Sequence, residues 1–393
     1  MTDYQHNPEQ AHVRGLLRAV RETIGRDVAP EWTKAAEAAP RHCFLPELIW
    51  LDDDGGGYRP CDRRSGPDRW LAAAYDDEPV VTQLNDGTVP DDLADAWPSS
   101  SSSAPSVVFR MLQMLDLQPG MKVLEIGTGT GWTSALLSHR LGDSNVTTIE
   151  LDPALAVRAR VVLKEAGFGP EVVWGDGALG WSRNTPYDRV VATCAVQKIP
   201  PAWVDQTRPG GTILTPWDNP WAHWGLLHLL VGDDGTAVGW YSPDSAFMLM
   251  RTQRTHLGIY RDVVKDDHRS AKSETTLPRR AVVEGDAAFA IGHRLGDVWH
   301  TWEDAPVYGV ADRLWIATTD AASWAAVDHD GSEEDRFTVY QHGPRRLWDE
   351  VEAAYEWWRG SGKPHPGRLG LTVTPEGGHW AWLDEPSERW LLR

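Results

Sequence analysis

The chain is 393 residues long, enough for two domains that each bury a core. Its formal net charge of -19 argues against a nucleic-acid or anionic-membrane partner, whereas acidic surfaces are usual on soluble enzymes. Cys43, Cys61 and Cys194 form no C-x-x-C pair, His223 and His228 are five apart, and no H-E-x-x-H occurs, so neither a disulfide framework nor a metal centre is expected.

The start, Met1-Thr2-Asp3-Tyr4-Gln5-His6, has neither a basic n-region nor an apolar h-region, and no apolar run reaches about 18 residues. A cytoplasmic protein is the expectation. From residue 10 to about 115 the pattern is helical and irregular, with Gly/Asp-rich turns near 52 to 68. Residues 1–105 are expected to cap the substrate side of a site. Asp52-Asp53-Asp54-Gly55-Gly56-Gly57 opens like a calcium loop, but its twelfth position is Arg63 where a glutamate is required, so it reads as a solvated turn. The serine run Ser99 to Ser103 has linker composition. Its place before Pro105 and an amphipathic helix (Val107, Val108, Met111, Leu112, Leu115) favours an ordered loop.

The centre of the chain is the most informative. Val123-Leu124-Glu125-Ile126 reads as a strand, Gly127-Thr128-Gly129-Thr130-Gly131 as a tight turn, and Trp132 to Leu137 as a helix start. Such a turn lets backbone approach a ligand and aims helix amides at it. The spacing is G-x-G-x-G, not the G-x-G-x-x-G of a dinucleotide fold. Glu125 stands where it can take an ammonium, which S-adenosylmethionine offers and NAD does not. Val146 to Glu150 is a second strand, closed by an acid about 20 residues after the glycines, the offset at which an acid grips ribose hydroxyls. Val172 to Gly177 is a third, whose Asp176-Gly177 end suits an adenine amino group. Tyr187 to Thr193 is a fourth, and Arg208 to Leu214 turns into a fifth. Alternation of strands and helices demands a parallel sheet with right-handed crossovers.

Trp224 to Leu230 and Phe247 to Met250 flank Asp233-Asp234-Gly235, a hairpin signal. Val264 to Ser270 reads as a linker or exposed crossing. Short strands follow (Ala287 to Ile291, Leu314 to Thr318, Trp324 to Val327, Thr338 to Gln341), then a helix from Leu347 to about Trp358, and a hairpin of Leu369 to Thr374 and Trp380 to Leu383. Ten of the 22 tryptophans lie beyond residue 256, which suits either a peptide-contacting surface or a small core in need of bulk. Arg345 and Arg346 stand at a helix start, where positive charge opposes the dipole. They either meet peptide carboxylates or pair with Glu350 or Glu352.

Taken together, these words resemble the protein-L-isoaspartate O-methyltransferases. The resemblance rests on Val123 to Gly131, Gly175-Asp176-Gly177, Ile199-Pro200-Pro201, Pro209-Gly210-Gly211 and Arg41-His42-Cys43-Phe44-Leu45-Pro46. It runs from about residue 15 to 255. The family's A-Y-x-D word is Ala74-Tyr75-Asp76-Asp77 here, and its T-I-S-Q-P word has become Ser101-Ser102-Ser103-Ala104-Pro105. That change, with Thr82 to Gly87 and Gln341 to Trp348, is similar to homologues encoded with ribosomal peptide natural products. Those esterify an aspartate of a modified precursor, and the ester collapses to succinimide or isoaspartate.

The resemblance implies an α/β fold: a doubly wound, Rossmann-like class I methyltransferase sheet over 106–255 with the N-terminal cap; beyond the family's usual end, residues 256–393 are expected to form an α+β substrate-recognition extension. It implies S-adenosyl-L-methionine as cofactor and S-adenosyl-L-homocysteine as product, held by Ser101, Ser102, Ser103, Glu125, Gly127, Thr128, Gly129, Gly131, Glu150, Leu151, Asp176 and Gly177. Ser103 and Asp77 are the candidate catalytic residues, with a helix N-cap and a turn as their alternatives. Tyr75, Arg345 and Arg346 are candidates for substrate binding. The expected partner is a modified precursor peptide, with no nucleic acid, membrane or metal. The rival is repair of isoaspartate in damaged proteins, for which a compact chain without the extension is expected. A carboxylate with a pKa of about 4 is already ionised at pH 7, so no acid–base triad is expected.

Overall fold

The computed structural model describes residues 8–53, 57–88, 92–93, 96–243, 245–255, 257–331 and 336–392. The first six residues, read above for a targeting signal, and Asp54, Gly55 and Gly56 of the acidic turn lie outside the described residues. Contacts group the chain into two compact units. One runs to Cys194 and includes Pro200–Leu214; the other comprises Ala195–Ile199 and everything from Thr215.

The first unit opens with α1 (Pro8–Ile24) and α2 (Pro30–Ala38), then β1 (Leu48–Asp52), β2 (Tyr58–Asp62), α3 (Pro67–Ala74), β3 (Val80–Leu84) and β4 (Pro98–Ser102). These strands form an antiparallel sheet of order β2-β1-β3-β4. The sheet departs from the helical and irregular cap expected. Tyr58-Arg59-Pro60-Cys61-Asp62 and Pro98-Ser99-Ser100-Ser101-Ser102 lack the β-branched alternation that announces strands. The serine run is therefore a strand paired with β3, neither a linker nor a loop.

Then follow α4 (Pro105–Met114), β5 (Val123–Ile126), α5 (Trp132–Leu141), β6 (Val146–Glu150), α6 (Pro153–Glu165), β7 (Glu171–Trp174), β8 (Tyr187–Ala192), α7 (Pro201–Gln206) and β9 (Thr207–Pro216). Proline in the first turn starts α2, α3, α4, α6 and α7, where a missing amide hydrogen costs nothing. Strands β7-β6-β5-β8-β9 are neighbours in that order, all parallel. The order reverses between β5 and β8, so the crevice beyond their carboxyl ends is where such sheets bind ligands. The glycine turn follows β5 directly.

In the second unit, β10 (Leu226–Val231) pairs antiparallel with β11 (Ala237–Ser242). The hairpin partner is thus Ala237–Ser242, not Phe247 to Met250, whose Leu249 makes only an isolated bridge with Ala195. Gly239 hides β11 from a pattern search: a side chain there would strike the His228 carbonyl oxygen at 1.8 Å. Then come β12 (Ala271–Thr275), α8 (Gly285–Leu295), β13 (Val298–Asp304), β14 (Asp312–Thr318), β15 (Trp324–His329), β16 (Phe337–His342), α9 (Leu347–Gly360), β17 (Leu369–Val373), β18 (His379–Leu383) and β19 (Arg389–Leu391). Ala287 to Ile291 belongs to helix α8, not to a strand. Short apolar runs do not separate the two states, and here the alanines decide for helix.

Strands β11-β17-β18-β19 extend the hairpin, while β12-β16-β15-β14-β13 form a separate antiparallel sheet. Helices α8 and α9 close that sheet with Ile291, Leu295, Leu347, Trp348 and Val351 against Leu314, Ile316, Val327 and Val339. Several C-terminal tryptophans are tied down within this unit: the Nε1 groups of Trp348, Trp382 and Trp390 donate to Glu352, Thr372 and the His293 carbonyl. Among the described residues no helix is long and apolar enough to cross a membrane.

Candidate functional site

Strand β5 is buried along its whole length and ends in the glycine turn. Gly127, Gly129 and Gly131 have φ of 93°, 53° and 86°, a region that favours glycine. The amides of Gly127 and Thr128 both donate to the Ile149 carbonyl, at 2.9 and 3.2 Å, which ties the turn to β6. A side chain at Gly127 would lie 2.9 Å from Thr193 Oγ1, and that hydroxyl donates to the Gly127 carbonyl at 2.5 Å. One at Gly177 would lie 2.5 Å from Ile126 Cγ2. Three strand ends are therefore held within one side chain of each other.

The acids expected at the strand ends are all there, in different states. Glu150 is buried; its Oε2 accepts from the Gly129 amide at 2.8 Å and its Oε1 from the Asp152 amide at 3.0 Å. Leu151, between them, is half-buried and accepts the indole hydrogen of exposed Trp174 at its carbonyl. Asp176 is half-buried and caps a short turn through the Ala178 amide at 2.9 Å. Glu125 has no exposed surface. One of its oxygens accepts from Ser134 Oγ, and the other has no partner. Burial pushes its carboxyl up to about 7, against hydrogen bonds from Ser134 and Thr148 that pull it down. Thr148 in turn bonds Thr128 in the glycine turn at 2.7 Å. Glu125 is thus enclosed behind the turn and bonded to Ser134 of α5, rather than open to solvent at the strand end.

The cap sheet meets this turn along β4. A side chain at Gly129 would lie 3.8 Å from both Ser100 Oγ and the Ser101 carbonyl. Ser99 Oγ donates to Gln83 Oε1, and Gln83 Nε2 donates to Asp152 Oδ2, both at 2.9 Å. Arg41 is almost wholly buried and holds the other end. Its guanidinium donates to the carbonyls of Ala74, Asp76, Glu78, Ser102 and Ser103, and to Ser102 Oγ. Burial lowers its pKa to about 10, opposed by the charges of Asp77 and Asp76.

Ser103 is half-buried beside these contacts, but it is not the N-cap of α4; that position is Ala104. Asp77 performs the tethering instead, accepting from the Ser106 amide at 2.7 Å and from Thr23 Oγ1 at 2.6 Å. Tyr75 bonds His42 Nδ1 through its hydroxyl at 2.6 Å and stacks on His12.

Arg345 and Arg346 belong to the second unit. Arg345 forks onto Glu350 and donates to Asp297 at 2.8 Å, and these bonds raise its pKa, Glu350 first. The internal pairing is the one present. Arg346 makes a 3.5 Å contact with Asp349 and is about half exposed.

Sequence reasoning missed Gln83, Asp152, Thr193 and the role of Arg41. Asp152 alone carried a local signal, an acid followed by proline at a helix start; its Oδ1 accepts from the amides of Ala154 and Leu155.

Comparison with known proteins agrees with this geometry. Residues 62–229 match the family model of the protein-L-isoaspartate(D-aspartate) O-methyltransferases, PCMT. A protein-L-isoaspartate O-methyltransferase of Thermococcus sibiricus is 41% identical over 116 residues, covering 29% of this chain and 52% of that one. One of Pyrococcus horikoshii is 38% identical over 135 residues, covering 34% and 61%. The chain thus spans about half to three-fifths of the length of these curated relatives. A solved protein-L-isoaspartate O-methyltransferase structure, 19% identical, covers 95% of this chain and 100% of its own with a TM-score of 0.53. The fold is that of a Rossmann-like class I methyltransferase.

Proposed function

We propose that this chain is an S-adenosylmethionine-dependent carboxyl O-methyltransferase acting on an isoaspartyl or aspartyl carboxylate of a polypeptide. The observation that carries the reading is the left-handed glycine turn at the sheet's reversal point, with Glu150 hydrogen-bonded to Gly129 inside the segment that matches the family model. The residues fit the cofactor. A carboxylate is an acceptor of several hydrogen bonds, the type of group a ribose diol needs, and Glu150 is held in place at the turn by two backbone amides. Asp176 stands at the adjoining strand end for the adenine, and the glycines of the turn, without side chains, let the amino-acid end approach the backbone.

When bound, this cofactor supplies an electrophilic methyl group on a sulfonium. The substrate carboxylate is ionised at neutral pH and needs no base, so the protein's work is placement and exclusion of water. Ser100 and Ser101 border the turn from the cap side, and Arg41 fixes Ser102 and Ser103 next to them in the chain. Ser103 positions the carboxylate, and Tyr75 shapes the same wall.

The family match favours isoaspartate as substrate. The second unit does not weigh against that, since the fold likeness to a protein-L-isoaspartate O-methyltransferase extends over 95% of the chain. The serine strand in place of the family's Thr-Ile-Ser word favours a second reading, an ordinary aspartate in a modified ribosomal peptide. Intact-mass analysis with cofactor separates them. Gain of one methyl on short isoaspartyl peptides supports repair; gain only on a constrained aspartyl peptide supports the second reading. No methyl gain on either overturns both.

A further inference from the structure

The second unit contains a cavity of about 220 Å³ whose lining includes Asp218, His223, Arg254, Thr255 and His300. His223 Nδ1 lies 3.0 Å from Asp218 Oδ1. Asp218 is buried, with 9% of its side chain exposed, whereas the imidazole of His223 is 63% exposed. A carboxylate only accepts, so Nδ1 carries the hydrogen and the neutral ring's Nε2 is a lone-pair base. A histidine held by a buried acid on one nitrogen and open at the other is the arrangement that general-base catalysis needs.

The loop bearing the pair is rigid. The Asp218 amide donates to the Val196 carbonyl at 3.1 Å, and Asn219 Oδ1 accepts from the amides of Trp221 and Ala222 at 2.9 and 2.7 Å. Across the cavity, His300 Nε2 bonds the Trp221 carbonyl at 3.1 Å, and burial holds that ring neutral with a pKa of about 4. Arg254 is fixed by donation to the Leu249 carbonyl at 3.2 Å. The lining therefore combines an oriented base with cationic and hydroxyl donors suited to an oxyanion. Nothing in the methyl transfer uses it.

We propose that His223, oriented by Asp218, is a general base that closes a peptide methyl ester to the cyclic imide in this cavity. The proposal rests on the ester-forming reading above, and it holds for either substrate, because both esters close through the same nitrogen. His223 Nε2 takes the proton of the amide nitrogen that joins the esterified residue to the next. That nitrogen attacks the ester carbonyl carbon and the C–N bond forms. As the C–OCH₃ bond breaks, the imidazolium returns its proton to the methoxide, which leaves as methanol. Arg254 and Thr255 face the transient oxyanion.

The test uses the full chain, a synthetic peptide carrying an aspartyl β-methyl ester, and no cofactor. Mass spectrometry follows loss of methanol against the ester in buffer. The protein should accelerate closure by about 100-fold, the contribution of a positioned base. His223→Gln should return the rate to that of buffer, and Asp218→Asn should remove most of the gain. The protein-dependent rate should rise with pH to a plateau set by His223, whose hydrogen bond to Asp218 raises its pKa above the usual 6.5; Asp218, Arg254 and His300 are the other ionisable groups lining the cavity. His223 is exposed, so an unchanged melting temperature checks that the variant folds. Closure no faster than in buffer, or equally fast in His223→Gln, overturns the proposal. Methyl transfer is assayed separately: its absence with closure intact overturns the ester-forming reading, and its presence without accelerated closure overturns this proposal alone.

Discussion

The two units bury charge in different ways. In the second, charges close on one another: Arg313 forks onto Asp328 at 2.5 and 2.8 Å, Arg279 meets Asp312, and Arg345 meets Glu350 and Asp297. The first unit also has a closed pair, Arg208 with Asp188 at 2.6 Å, but around its glycine turn and cap strand Arg41, Glu150 and Asp152 are held mainly by backbone carbonyls and amides, and Glu125 keeps an oxygen with no partner. A closed pair satisfies itself and specifies packing. A charge spent on backbone holds a loop in one conformation, so the seat of a ligand depends on it. By that criterion the first unit is built around its glycine turn and cap strand.

If the contrast is right, its largest consequence falls at Arg41. Arg41→Ala leaves five carbonyls to find other donors, and the loss should be about 3–5 kcal/mol by urea denaturation. Arg41→Lys, which cannot fork, should recover only part. A loss under about 1 kcal/mol would place water among the carbonyls and weaken the comparison.

Glu125 comes next, and its effect is a pH dependence. Its carboxyl is raised to about 7 in the folded chain against an ordinary value of 4.5, so the folded state binds the proton more tightly. The contribution to stability is full below pH 4.5 and is lost as pH rises through about 7, a span worth about 3 kcal/mol. Glu125→Gln should gain on the parent steadily across that window. A constant difference between the two stability curves would show that Glu125 is ionised when folded.

The central turn was legible because its signals are local. Three glycines, an acid at the end of each of two strands and an Asp-Gly at a third need only chain-neighbour geometry to be read. The cap side was not. Arg41 and Ser102 are 61 residues apart, and Gln83 and Asp152 are 69 apart, so their contacts exist only once the sheets are built. The serine strand is recognisable from its pairing with β3 and from nothing in its composition. His223 reads as no metal ligand when measured against His228, and its true partner, Asp218, gives no motif. Arg345 and Arg346 look alike in sequence; an acid 48 residues away separates them.

A smaller effect is expected at Glu150. Both its oxygens hold backbone next to the turn, so Glu150→Ala should lower S-adenosylmethionine affinity at least tenfold by calorimetry, in line with about 1.5–3 kcal/mol for bonds to a charged group. Unchanged affinity in a folded variant would remove the turn from the cofactor site.

The smallest effects come from the arginine pair, and they sharpen the comparison most. Arg345 is a closed, mostly buried pair member, with 20% of its side chain exposed. Arg345→Ala should cost about 1–2 kcal/mol, less than a fully buried pair because Glu350 and Asp297 stay partly in water. Arg346 has a long, exposed contact, so Arg346→Ala should change stability by less than about 0.5 kcal/mol. That makes Arg346 the clean probe of peptide binding in the second unit. A raised KM for peptide in Arg346→Ala, with stability and cofactor affinity unchanged, would mean that its charge serves the substrate. A raised KM in Arg345→Ala alone would instead follow from the broken pair, because a peptide carboxylate would have to displace Glu350 or Asp297 to reach it. If neither variant moves KM, the charges of Arg345 and Arg346 serve packing alone.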